Sequence, residues 1–131
     1  MKNIHGYQAQ VLKLLLVLFT IGTAIPALAE GQKAIAFPGA EGLGRYATGG
    51  RGGKVYHVTT LQDGMQEGTL RHAVMQEGPR TVVFDVAGTI FLEKELRITH
   101  SDLTLAGQSA PGQGVCIADY PVVLKADNLI I

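Results

Sequence analysis

The sequence predicts an all-β protein, the first rungs of a right-handed parallel β-helix with one short helix capping its start. Three observations carry this. Apolar triplets recur from Thr81 onward: "VVF" at 82–84, "IFL" at 90–92, "LTL" at 103–105, "VCI" at 115–117, "VVL" at 122–124 and "LII" at 129–131. Between them stand "AG", "HSD", "AGQSAPGQG", "DYP" and "KADN", built from the residues that turns require. These links are too short for crossover helices, which excludes a doubly wound sheet. Triplets also return regularly, from Phe84 to Leu105, from Leu105 to Ile131, and from "IFL" to "VCI". The interval is roughly 21–26 residues, the range in which one solenoid unit repeats. An antiparallel sandwich is the competing architecture, and the spacing favours a circuit of three short strands and three turns.

The chain has 131 residues, enough for one modest domain. Residues 1–29 are set apart as a secretory signal peptide. Met1 to Lys13 carries two lysines and no acid, and Leu14 to Ile25 is an apolar run with small polar breaks. "PALAE" then places Ala27 and Ala29 at the small-residue positions of a cleavage site. A bilayer span needs about 20 apolar residues and this run falls well short, so no membrane anchor is expected once the signal is removed. The protein is expected to be secreted or periplasmic.

Residues 30–53 form a glycine-rich lead with little periodicity. "TGGRGGKVYHV", Thr48 to Val58, looks at a glance like a phosphate-binding loop. The template Gly-x-x-x-x-Gly-Lys-Ser/Thr fails twice, because Thr48 stands where the first glycine belongs and Val55 where the hydroxyl belongs. No nucleotide site follows, and the glycines read as backbone devices.

Residues 54–131 hold the cap and the first rungs. Val55 and His57 alternate with Tyr56 and Val58, a short strand pattern. Thr69 to Gln76, "TLRHAVMQ", spaces Leu70, Ala73 and Val74 helically, with Thr69 as N-cap and "EGP" closing the segment. An open solenoid end exposes apolar side chains and unpaired backbone, and a helix placed just before the repeats would cover it.

Without the signal, nine Lys and Arg stand against eleven Asp and Glu, a net of about −2. A nucleic-acid partner would call for a basic stripe, so none is expected. The single cysteine, Cys116, cannot form an internal disulfide and is expected to be a small buried hydrophobe.

Three ordered stretches, "FPGAEGLGRYATGGRGGKVYHVTTL", "GTLRHAVMQEGPRTVVFDVAGTI" and "LTLAGQSAPGQGVCIADYPVVLKADNLII", resemble the amino-terminal part of the pectate lyases of polysaccharide lyase family 1. The resemblance runs from Ala34 to Ile131. It implies a parallel β-helix with an N-terminal cap, and cleavage of polygalacturonate (pectate) by β-elimination. It also implies a calcium ion, held by acidic side chains, that bridges to the substrate carboxylate, and an arginine that takes the proton. The partner implied is an acidic plant polysaccharide.

In the family, the calcium carboxylates and the catalytic arginine lie on rungs after the strand that corresponds to "NLII". No residue of this sequence matches those positions, so catalytic and metal residues are expected beyond Ile131. The chain is therefore expected to be the front portion of a longer, truncated protein, inactive alone. The alternatives are a non-catalytic β-helix that binds acidic polysaccharide, or an inactive remnant.

The remaining charged residues support only plain roles. Asp119, in "IADYP", is a substrate-contact candidate because a strand end could face a groove, and Arg45 and Arg51 are candidates for an acidic polymer, with a solvated loop charge as the plainer reading. Asp85 is expected to bond backbone at a rung corner. Asp63 and Glu67 alone make a poor calcium site. Asp102 and Asp127 fit Asx turns. His57, His72 and His100 lack the spacing of zinc ligands. Tyr56 and Tyr46 read as packing over the first rung.

Overall fold

The computed structural model describes residues 33–131. The segment expected to be a signal peptide, with the expected cleavage positions Ala27 and Ala29, and the first residues of the lead lie outside the described residues.

Eight strands and one helix follow the lead. They are β1 (Lys54–Val58), α1 (Leu70–Val74), β2 (Arg80–Phe84), β3 (Gly88–Phe91), β4 (Leu96–Ile98), β5 (Leu103–Ala106), β6 (Val115–Ala118), β7 (Val122–Leu124) and β8 (Leu129–Ile130). All pairings are parallel. One sheet runs β1-β2-β5-β8, a second pairs β3 with β6, and a third pairs β4 with β7. The chain thus visits three sheets in turn and then lays the next circuit on the last, as a parallel β-helix does.

The register refines the repeat. Arg80 pairs with Leu103, Leu103 with Leu129, Gly88 with Val115 and Leu96 with Val122. The partner of Leu105 is Val82 rather than Phe84, and the partner of Ile117 is Ile90. Circuit length therefore varies slightly from rung to rung, being shortest between β2 and β5. Apolar triplets mislead by a residue or two because inward and outward positions within them are alike in hydrophobicity.

Two elements differ from expectation. β4 lies outside the six triplets, since Arg97 interrupts its apolar pattern. Leu96 and Ile98 point into the core while Arg97 faces out. β1 already belongs to the stack, with Lys54 paired to Arg80 and Val58 to Phe84, so the first sheet begins one full circuit earlier than the triplets indicate. The predicted helix is shorter than Thr69–Gln76 but starts where expected, with the Thr69 hydroxyl accepting the His72 amide at 3.3 Å.

The core is a single column. Val58, Val82, Phe84, Ile90, Leu92, Leu96, Ile98, Leu103 and Leu105 fill the inside of the circuits. Leu70, Ala73 and Val74 of α1 join that cluster beside β1 and β2, so the helix covers the first-rung end. Cys116 is exposed, contrary to the expectation of burial. Strand alternation turns Val115 and Ile117 toward the core, so the residue between them faces out.

The lead is held against the rungs. It makes one 3-10 turn at Leu43–Tyr46 and then lies flat against the first sheet. A Cβ on Gly50 would stand 1.8 Å from the Arg80 carbonyl oxygen, and one on Gly53 would stand 1.8 Å from that of Pro79. Only glycine permits this approach.

Candidate functional site

Buried charge concentrates behind the cap. Arg71, on α1, donates through Nε and Nη2 to the two oxygens of Asp63, at 2.8 and 2.7 Å. Its remaining donors reach the carbonyls of Glu95 at 3.0 Å and Lys94 at 2.7 Å. Asp63 also accepts the Glu93 amide at 2.9 Å. Both side chains are out of solvent, at 7% and 2% exposure. The hydrogen bond from Arg71 holds the Asp63 carboxyl below the usual aspartate range, against the opposing effect of burial. This cluster ties the 61–68 loop and α1 to the turn before β4.

Arg80 is fully buried at the start of β2. It donates to the carbonyls of Val74, Gly78, His100 and Ser101 at 2.8–3.0 Å. Burial lowers its pKa, since desolvation disfavours the charged form. Its Nε has no partner. Sequence reasoning does not single out these two arginines. The only available signal is a cation in a segment otherwise reading as helix or strand.

Asn128 links the lead to the rungs. Its Oδ1 accepts the amides of Thr48 and Gly49 at 2.8 and 3.2 Å, and its Nδ2 donates to Thr48 Oγ1 and Asp102 Oδ1 at 2.7 and 2.5 Å. Asn128 and Asp102 adopt left-handed backbone, with φ of 57° and 62°, one circuit apart. The turn chemistry expected of Asp102 is thus shared with the rung above.

The candidates named from the sequence stand apart. Asp119 is exposed in a left-handed turn after β6, with φ of 76°. Arg45 lies over the Tyr46 ring, 4.6 Å from its centroid. Arg51 donates to the Ile35 carbonyl at 2.9 Å, which folds the lead back on itself. No hydrogen bond or ion pair among the described residues joins any two of the three. Asp85 does not bond backbone through its side chain as expected. It contacts His57, with 2.9 Å between Oδ2 and Nδ1, because the register sets the end of β2 beside the end of β1.

A cleft of about 520 Å³ lies between β1 and α1, lined by Tyr56, His57, Thr59, Glu67 and His72, among others. A second hollow, about 360 Å³, opens over Phe84, Leu105, Val115, Ile117 and Ile131.

The residues present do not fit a calcium site. Among the described residues, no three His, Cys, Asp or Glu side chains come together in a way that could hold a metal. Asp63 is committed to Arg71, Asp102 to Asn128 and Asp85 to His57. Calcium needs six to eight oxygen ligands, and these carboxylates are dispersed and occupied.

No family model matches the chain. The probable pectate lyase C of Emericella nidulans is 46% identical over 100 residues, covering 76% of this chain and 23% of that one. The chain is similar to part of a pectate lyase. The pectate lyase likeness extends to the probable pectate lyase C of Aspergillus flavus, 48% identical over 83 residues, and to the probable pectate lyase 5 of Arabidopsis thaliana, 41% identical over 97. These matches cover 63% and 69% of this chain and 19% and 22% of theirs. The chain therefore spans roughly a fifth of the length of these pectate lyase relatives. Among solved structures, jun a 1, the major allergen from cedar pollen, matches 60% of this chain and 22% of its own at 27% identity, with a TM-score of 0.45. Among the described residues no helix is long and apolar enough to cross a membrane.

Proposed function

We propose that the protein is a secreted pectate lyase that cleaves polygalacturonate by calcium-assisted β-elimination, and that residues 54–131 supply its cap and first rungs. The observation that carries this reading is the 46% identity to a probable pectate lyase over 100 residues. The parallel stack of β1-β2-β5-β8 supports it, because it is a scaffold on which further circuits can be laid without change of geometry.

In a β-elimination a base removes the proton beside the uronate carboxylate, and the electron pair forms a carbon–carbon double bond as the glycosidic oxygen leaves. No step is assigned to the carboxylates of the described residues, since they do not cluster into a site. The contribution of residues 33–131 on this reading is structural. They close the first end of the solenoid and fix the register from which later rungs are measured.

The experiment is to incubate the protein, extended by the further rungs its relatives carry, with polygalacturonate and calcium. Ultraviolet absorbance of the unsaturated uronide should rise, and a chelator should abolish the rise. Binding to the polymer without any unsaturated product would replace this reading with that of a non-catalytic polysaccharide-binding β-helix.

A further inference from the structure

We propose that the cleft between β1 and α1 binds a neutral sugar residue. Its lining groups converge on one chemistry. The Asp85 carboxylate stands 2.9 Å from His57 Nδ1 and accepts its hydrogen bond, so in the neutral tautomer that this contact selects Nε2 is left as an acceptor. That nitrogen has no hydrogen bond among the described residues. Glu67 adds a second acceptor and Thr59 a hydroxyl, while Tyr56 and His72 meet edge to face, 6.3 Å between centroids, to form an aromatic wall. Among the described residues, no lysine or arginine lines the cleft.

A ligand that suits this lining donates hydrogen bonds and presents an apolar ring face. A sugar does both through its hydroxyls and its C–H surface. A uronate is disfavoured, because its carboxylate would face Glu67 with no lysine or arginine among the described lining residues to offset it. The fixed imidazole also has no evident structural purpose. His57 and Asp85 are 57% and 50% exposed, and surface pairs of this kind contribute little to stability. The walls are rigid without them: Gly68 accepts the amides of Thr59 and Thr60, Thr69 caps α1, and Asp63 anchors Arg71. A preformed cleft lowers the ordering cost of binding.

The test is a nuclear magnetic resonance titration of the full chain with two probes of the same ring stereochemistry, galactobiose and digalacturonate. Galactobiose should shift the amides of Tyr56, His57, Thr59, Gly68 and His72 saturably, and digalacturonate should leave them unmoved. His57→Ala should weaken galactobiose binding by about tenfold, the loss of one well-placed hydrogen bond. Glu67→Gln keeps the shape and removes the charge, so it should let digalacturonate in. Absence of shifts with galactobiose, equal shifts with both sugars, or unchanged binding in His57→Ala would each overturn the proposal. None of these readouts depends on cleavage, so failure here is separable from failure of the lyase reading.

Discussion

Asp63 and Arg71 show most clearly what single residues do in this chain. Their two-point contact is out of solvent, and removing either partner strands the other charge. Asp63→Asn should cost about 3–5 kcal/mol in urea unfolding, as breaking a buried pair does. The double change Asp63→Asn with Arg71→Met should cost less than the sum of the two singles. The pH dependence has a fixed sign. The folded carboxyl titrates below its unfolded value, so its stabilisation is complete above the ordinary aspartate range and is lost as pH falls through the folded pKa. The wild type should therefore lose stability on acidification more steeply than Asp63→Asn. The glycines make a contrast of another kind. Gly50→Ala forces a Cβ against the Arg80 carbonyl and should destabilise by about 2 kcal/mol or more, whereas Gly44→Ala meets open space and should stay within about 0.5 kcal/mol.

Among the elements, β4 and the Asn128 turn separate what the sequence makes visible from what it hides. The six apolar triplets lead to β2, β3, β5, β6, β7 and β8 because consecutive Val, Leu and Ile mark a buried strand whichever residue points inward. Leu96–Arg97–Ile98 escapes that pattern, although alternation around one cation is equally good strand evidence. Leu96→Ala or Ile98→Ala should cost about 2–5 kcal/mol, and Arg97→Ala, at an exposed position, should cost little. Thr69 is legible as an N-cap because capping is local chemistry. The partnership of Asn128 with Thr48, far back in the lead, is not, because only the closed stack brings the two together. Asn128→Ala removes both acceptor and donor, so the amides of Thr48 and Gly49 should lose hydrogen-exchange protection while those of β2 keep theirs.

Across the described residues, one apolar column runs from the α1 cap through successive circuits to the hollow beside Ile131. The repeat of turns and triplets suffices to read that architecture, since a solenoid is a nearest-neighbour structure and its pattern is local. The register read from triplets slips slightly, because turn lengths differ between circuits. The candidate site is less legible. The Asp63–Arg71 cluster and the cleft at β1 arise from the approach of the 61–68 loop, the cap and the first strand. Sequence spacing does not encode that approach. Arg45, Arg51 and Asp119 are visible as charges, but their surroundings give two of them plain structural contacts and leave Asp119 alone in its turn.

On the proposed reading, residues 33–131 form the working cap and first rungs of a pectate lyase. The most direct measurement replaces the aligned segment of the Emericella nidulans relative with residues 33–131 and follows ultraviolet absorbance on polygalacturonate with calcium. The chimera should release unsaturated uronide at a rate within about tenfold of the parent, since the cap supplies fold rather than chemistry. A chimera that folds cooperatively yet releases no product would contradict it.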